Sequence, residues 1–342
     1  MRVLVTGHQG YLGTVMVPEL QAAGHEVIGL DTGYFADCVL GDAPPAPPAL
    51  AVDLRDVTVD QLSGFDAVVH LAALSNDPLG ALAPQITYDI NHHASVRLAQ
   101  LAKQAGVRRF LYASTCSVYG AAGDGLVTED APLRPLTPYA ESKVRVEDDV
   151  AAIADAGFAP VFLRNATAFG FSPRLRADIV LNNLVGYAVL TGEVKVLSDG
   201  TPWRPLVHAR DIAAAFDACL TAPIDAIHCR AYNVGAEANN LTVAEIARAV
   251  VDAVPGSTLR ITGESGADPR SYRVDFGYAR KELGFEAGWS IPDGAAELYR
   301  EYTARGLTAE AFFQRFTRLA HLTALKESGV LDDELRRIRI GA

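Results

Sequence analysis

Two short stretches of the chain bring together side chains that can move protons. In "YASTCSVYG" (residues 112–120), Ser114, Thr115, Cys116, Ser117 and Tyr119 crowd the end of an apolar run. In "PYAESKVRVE" (138–147), Tyr139 and Lys143 stand four residues apart. Hydroxyls, thiols and phenols can each serve as nucleophile, proton carrier, ligand or structural group, and residue type alone does not choose among these. The Tyr139/Lys143 pair says more, because a spacing of four is one helical turn and puts both on one face. An ammonium beside a phenol favours the phenolate, so the tyrosine can take up and return a proton near neutral pH. Taken singly, YxxxK also describes an exposed tyrosine followed by a solvated lysine.

A third stretch supplies the context. "VLVTGHQGYLG" sets Gly7, Gly10 and Gly13 between an apolar run and a helical pattern, with GxxGxxG spacing. Glycine there permits a tight turn, close approach of backbone N–H groups to a pyrophosphate, and close helix-to-strand packing. The other reading is a glycine-rich turn that binds nothing. Asp31 ends the next apolar run, "VIGLD", eighteen residues past Gly13. A carboxylate at that point accepts hydrogen bonds from a ribose 2′-hydroxyl and repels a 2′-phosphate. Thr32 and Gly33 follow it where Lys or Arg would favour the phosphate, so the expected cofactor is NAD and not NADP. Asp53, after the third run, falls at an adenine contact or serves as a helix-start acid.

These groups need a scaffold, and the N-terminal half alternates β-branched runs with helical stretches, the pattern of a parallel sheet covered on both faces. Expected strands are 2–6, 26–30, 49–52, 67–70, 110–113 and 161–163; expected helices are 12–23, 86–105 and 139–156. Such a doubly wound α/β sheet carries its ligand crevice at the carboxyl ends of its strands. "GDAPPAPPAL" (41–50) reads as a stiff surface loop. After residue 170 the pattern loosens, which predicts a dinucleotide-binding domain over 1–170 and a smaller C-terminal α/β substrate lobe over 171–206 and 237–342. The chain is expected to re-enter the sheet around 207–236, where "RAYNVG" reads as a strand. Thr242 and Glu245 form a capping box for the following helix. Residues 308–342 read as charged helix pairs.

The ordered set "TGHQGYLG", "VIGLD", "VVHLAA", "FLYASTCSVYG", "PYAESKVRVE", "LRNATAFG", "NNL", "PWRPLVHARD" and "YNVG" resembles the extended short-chain dehydrogenase/reductase family, specifically its nucleotide-sugar epimerases and dehydratases. The resemblance spans about residues 1–300 and implies a Rossmann-type fold. It implies that Tyr139 deprotonates a sugar hydroxyl while NAD takes the carbinol hydride, usually at C4. Lys143 would hold the nicotinamide ribose and ease ionisation of the phenol, and Thr115 would be the hydroxyl partner. The implied cofactor contacts are Gly7, Gly10, Tyr11, Leu12, Gly13, Asp31, Asp53, Leu54, Leu71, Ala72, Ala73, Asn91, Ala113, Ser114, Tyr139 and Lys143. The implied substrate contacts are Thr115, Thr167, Asn183, Arg204 and Arg270. Thr167 departs from the family, which generally has Asn there, so its contact passes to Thr167 or Asn165. Arg174 and Arg176 are either further substrate ligands or surface charges. A nucleotide-diphosphate sugar is the implied substrate and a homodimer the implied assembly.

Relatives resembling sugar 4,6-dehydratases carry Asp and Glu after the threonine, an acid and a base that remove water. Here those positions are Cys116 and Ser117, a weakly acidic thiol and a poor base. Hydride return after rotation of the keto sugar, which is C4 epimerisation, needs no further acid or base. Reduction of a 4-keto sugar is the alternative; a dehydratase or a non-catalytic NAD-binding sensor comes after both.

The 342 residues, 49% apolar, suffice for a large core. A net charge of -11 argues against general nucleic-acid binding. With no apolar run of membrane-spanning length and no signal-peptide pattern at the start, a cytoplasmic protein without a membrane partner is expected. Cys38, Cys116, Cys219 and Cys229 lack zinc or disulfide spacing and read as reduced thiols; Cys116 alone stands where it has a further role open to it. His70 reads as a core residue, and His92 and His93 have no ligand-spaced partners. No metal is expected.

Overall fold

The computed structural model describes residues 1–75, 83–121, 125–264 and 271–338. The main strands are Arg2–Thr6 (β1), Glu26–Asp31 (β2), Ala49–Ala51 (β3), Ala67–His70 (β4), Arg109–Thr115 (β5), Ala159–Asn165 (β6) and Arg230–Val234 (β7). They form one sheet in the order β7-β6-β5-β4-β1-β2-β3, every pair parallel. The strand order reverses beside β1, so a crevice opens at the carboxyl ends of β1 and β4.

Parallel neighbours require crossovers, and helices supply most of them. The longer helices are Tyr11–Ala22 (α1), Ala94–Gln104 (α2), Pro138–Ala152 (α3), Val180–Thr191 (α4), Ala209–Thr221 (α5), Val243–Ala253 (α6), Ile291–Ala304 (α7) and Arg318–Glu327 (α8). Alternate strand residues divide between the two faces. Val3, Val5, Val69, Leu111 and Leu163 meet Met16 and Leu20 of α1 and Ile212 and Phe216 of α5. Leu4, Val68, Phe110 and Phe162 meet Leu98 and Ala102 of α2 and Val146 and Val150 of α3. With both faces covered, the strands read as continuous apolar runs.

A second core joins α4, α6 and α7 through Leu181, Val185, Ile246, Val250, Leu298 and Tyr302. The Thr242–Glu245 capping box forms as expected at the start of α6. Re-entry of the chain is narrower than expected. β7 joins the main sheet, whereas Trp203–His208 pairs with Thr167–Phe169 and Asn240–Thr242 in a small sheet of their own.

Several boundaries differ from the sequence pattern. β5 and β6 each run seven residues, because the sheet continues pairing past the apolar positions to Thr115 and Asn165. The expected helix over 86–105 is broken into a short helix, a π-type turn over Tyr88–His93 and α2. α3 stops at Ala152, before a turn in which Asp155 and Phe158 bridge and the Gly157 amide donates to the Asp155 carboxylate. In the C-terminal segment a π-type turn over Ala311–Arg315 packs against α8, and the helical pattern stops at Glu327, where Gly329 takes a positive φ of 72°. Beyond it the chain folds back, with Leu331 bridging Arg337 and the Asp332 carboxylate accepting from the amides of Glu334 and Arg336. The four cysteines are free; Cys38, Cys116 and Cys219 are buried and Cys229 is exposed.

Candidate active site

A cavity of about 860 Å³ opens along the carboxyl ends of the strands. Its floor is the glycine turn. β1 runs into Gly7, whose φ of 71° and approach to the next crossing leave no room for a side chain: a Cβ would sit 2.9 Å from the Ala72 nitrogen. A Cβ at Gly13 would lie 2.3 Å from the Gly7 carbonyl oxygen, so α1 can pack this tightly only with glycine there. Gly10 is the N-cap of α1 and gives it no side-chain cap, and no acidic residue stands in the first turn. The leading amides of Tyr11, Leu12 and Gly13 therefore face the cavity as donors for an anion. Asp31 ends β2 in the same wall, with its two oxygens accepting from the amides of Gln9 (2.9 Å) and Gly33 (2.8 Å). A carboxylate so oriented keeps lone pairs for a ribose diol. These features fit a dinucleotide.

Thr115, Tyr139 and Lys143 line the same cleft. Thr137 caps α3, accepting from the Ala140 amide, and Pro138 takes the first helical position, which fixes where the helix starts. Tyr139 and Lys143 thereby face β5 one turn apart. The Lys143 ammonium donates to the Ala113 carbonyl at 2.7 Å, lies 4.6 Å from the centre of the Tyr112 ring and 5.7 Å from that of Tyr139. Burial pulls its pKa down to about 7, with Glu147 pulling the other way. Thr115, the last residue of β5, accepts from the Ser117 amide at 3.1 Å and lines the cavity with its hydroxyl proton free to be donated. Ser114 is tied from behind, its hydroxyl donating to Glu147.

Most of the expected residues line this cavity. Leu54, Leu71, Ala72, Ala73, Ala113, Ser114 and Asp53 line it beside the groups above, and Thr167, Asn183 and Arg204 line the other end. Arg270 lies outside the described residues. Asn91 does not line the cavity; its amide grips the main chain of Leu74 at 2.7 and 3.0 Å and so braces the loop after β4. Burial alone would raise the Asp53 pKa, but Arg55, bonded to both its oxygens, holds it below the usual carboxylate range. Asn165 lines the cavity with a buried Oδ1 that has no partner.

The two arginines left open by the sequence separate here. Arg174 donates to the carbonyls of Phe35 and Ala36 and is a brace. Arg176 enters the cavity, paired with Asp178 at 2.9 and 3.0 Å and donating to the Ser75 hydroxyl. Cys116 points away from the cleft: its thiol donates to the Arg164 carbonyl, and burial pushes its pKa up, leaving it inert. His70 is a core residue, bonded to the Thr6 and Ser95 hydroxyls, with burial and then the Lys143 charge lowering its pKa to about 3. His92 and His93 pair with Asp149 and Asp89. Among the described residues no cluster suited to a metal ion is present. Sequence reasoning missed Tyr34, Phe35, Tyr272 and Arg318 in the lining; the first two follow shortly after Asp31 and Tyr272 lies two residues past Arg270, whereas Arg318 has no motif near it.

Two outcomes follow from this geometry. Asp31→Ala should relax discrimination against NADP, read as the ratio of the two dissociation constants; an unchanged ratio would make Asp31 purely structural. Between about pH 7 and its ordinary value near 10.5, Lys143 is neutral in the folded chain and protonated in the unfolded one, so stability rises with pH across that window. The native protein should therefore gain on Lys143→Met in urea midpoint from pH 7 to 10; parallel curves would contradict the assignment.

The model of the NAD dependent epimerase/dehydratase family matches residues 3–235. UDP-glucose 4-epimerase of Mycolicibacterium smegmatis is 30% identical over 310 residues, covering 87% of this chain and 97% of that protein. Among solved structures, UDP-glucose 4-epimerase from Stenotrophomonas maltophila, with NAD and formylated UDP-arabinopyranose bound, superposes with a TM-score of 0.78 at 26% identity, covering 90% and 99% of the two chains. The dTDP-glucose 4,6-dehydratase DesIV from Streptomyces venezuelae, also with NAD bound, gives a TM-score of 0.78 at 29% identity, covering 91% and 100%. With its glycine turn, Asp31 and the Thr115, Tyr139 and Lys143 set in one cleft, this chain belongs to the NAD dependent epimerase/dehydratase family, and NAD is its cofactor.

Proposed function

We propose that the protein is an NAD-dependent nucleotide-sugar epimerase acting at C4 through a transient 4-keto sugar. The observation that carries this reading is the state of the carboxylates. Among the described residues, the acids lining the cavity are Asp31, Asp53 and Asp178, and each is held: by amides, by Arg55 and by Arg176 respectively. Of the two residues after Thr115, Cys116 is turned into the core and only Ser117 reaches the cavity. Elimination of water requires an acid and a base at the sugar that this arrangement does not supply.

Epimerisation requires less. The Tyr139 oxygen takes the proton of the C4 hydroxyl, and the Thr115 hydroxyl donates to the same sugar oxygen. Lys143, in its protonated form, stabilises the oxyanion through which the tyrosine passes. Bound NAD supplies the hydride acceptor and, on return, the donor. Tyr139 then gives its proton back as the carbonyl is reduced on its other face. At the nucleotide end, Arg204 and Asn183 provide donors for the substrate diphosphate, with Thr167 and Asn165 beside them. The homodimer and cytoplasmic setting implied by the sequence belong to the same reading; among the described residues no helix is long and apolar enough to cross a membrane.

Tyr139→Phe should keep NAD binding and lower kcat by about 10²–10⁴-fold; full turnover would remove the proton-shuttle role. The reaction itself is checked with a panel of UDP-, dTDP-, GDP- and CDP-sugars in deuterated water with no added cofactor. The expected product is a C4 epimer with no deuterium at C5. Deuterium at C5 would establish dehydration, and stoichiometric consumption of added NADH with a keto sugar would establish a reductase.

A further inference from the structure

The C-terminal segment forms one wall of the cavity, and it places a cation there. Arg318, the first residue of α8, is only 4% exposed yet belongs to the cavity lining. Its guanidinium carbon lies 3.8 Å from the centre of the Phe35 ring. Nη2 donates to the Arg174 carbonyl at 3.3 Å, and the buried Nη1 has no hydrogen-bond partner. The charged groups around it do not supply one. Arg174 and Arg176 repel it, Asp178 is occupied by Arg176, and the Cys38 thiol is buried and protonated. Burial, then repulsion from Arg176, lowers the Arg318 pKa to about 10, which leaves it charged at neutral pH. A buried cation with a free donor is costly until an anion meets it.

A short relay of hydrogen bonds ties this cation to the glycine turn. The Arg174 carbonyl accepts from Arg318, the Arg174 amide donates to the Ser172 hydroxyl, and that hydroxyl donates to the carbonyl of Tyr11, the first residue of α1. The guanidinium and the open amides of α1 thus stand on two sides of one cleft. The tail that carries Arg318 is fastened beside Asp31. His321 bonds the Tyr34 carbonyl, the Tyr34 hydroxyl donates to the Leu335 carbonyl, and Arg337 donates to the carbonyls of Thr32 and Gly33 at 2.9 and 2.8 Å. Arg55 and Arg336 add contacts to the Glu334 carbonyl and Asp56. The cation is therefore held in position before any ligand arrives.

We propose that Arg318 receives the diphosphate of the bound dinucleotide, completing from the C-terminal tail a phosphate clamp whose other half is the start of α1. Its ring partner Phe35 and the latched loop 32–35 follow directly on Asp31, which favours the cofactor's diphosphate over the substrate's. The inference rests on NAD as the cofactor and is independent of which sugar reaction follows.

The test is calorimetry on protein stripped of nucleotide, with NAD, ADP, adenosine and UDP as separate probes. Arg318→Met should weaken NAD and ADP binding by about tenfold to a hundredfold, as loss of a charge-assisted contact does, while adenosine and UDP affinities stay unchanged. Arg318→Lys, which keeps the charge and loses the fork, should fall between. Unchanged NAD and ADP affinity would overturn the proposal, as would an equal loss for adenosine or a loss confined to UDP, which would assign Arg318 to the substrate. If Arg318→Met does not fold, the lysine variant decides by the same comparison: a selective loss of NAD and ADP binding supports the clamp, and its absence overturns it.

Discussion

The site depends on one buried ion pair. Glu147 of α3 meets Arg164 of β6 at 2.7 Å, and both side chains are nearly inaccessible to water. The carboxylate also accepts from Ser114 of β5, while Arg164 donates to the Tyr119 hydroxyl and the Glu129 carbonyl. Removing one partner of such a pair strands the other and costs about 3–5 kcal/mol. Its geometric effect matters as much. Residues 139, 143 and 147 share one face of α3, and two of them are fastened to β5: Glu147 at Ser114 and Lys143 at Ala113. The helix cannot slide or turn against the sheet without breaking both, so Tyr139 is held in the wall of the cavity that Thr115 also lines.

The binding half of the site follows from a different constraint. A parallel sheet whose strand order reverses leaves a crevice at its carboxyl edge, and the close packing of Gly7 against Ala72 and of Gly13 against Gly7 brings main-chain donors to that edge. A net acidic protein meets anions through such local donors. The same economy shows in the arginines, where Arg174 is spent on carbonyls of the loop after Asp31 and Arg318 on the cavity wall.

Proteins similar to this chain include both epimerases and dehydratases, and the residues after Thr115 are where the proposed reading separates the two. Cys116 is one of them: its thiol bonds the Arg164 carbonyl, so this position serves the network that holds α3.

Much of this was legible in the sequence. The glycine spacing, Asp31, the Tyr139/Lys143 pair and the alternation of strands and helices are local patterns, set by backbone sterics, helical periodicity and burial, and they were readable one segment at a time. Strand ends, the break over Tyr88–His93 and the folded-back tail were not, because sheet pairing and long-range packing decide where a local preference stops. Asn91 as a brace, Arg176 as a cavity residue and Arg318 beside the glycine turn depend on contacts between segments far apart in the chain, and no spacing records those. The sequence by itself determined the sheet, the cofactor class and the pairing of Tyr139 with Lys143 on one helix face. Only the tertiary structure decided which charges are buried together, since that depends on which surfaces meet when the chain closes.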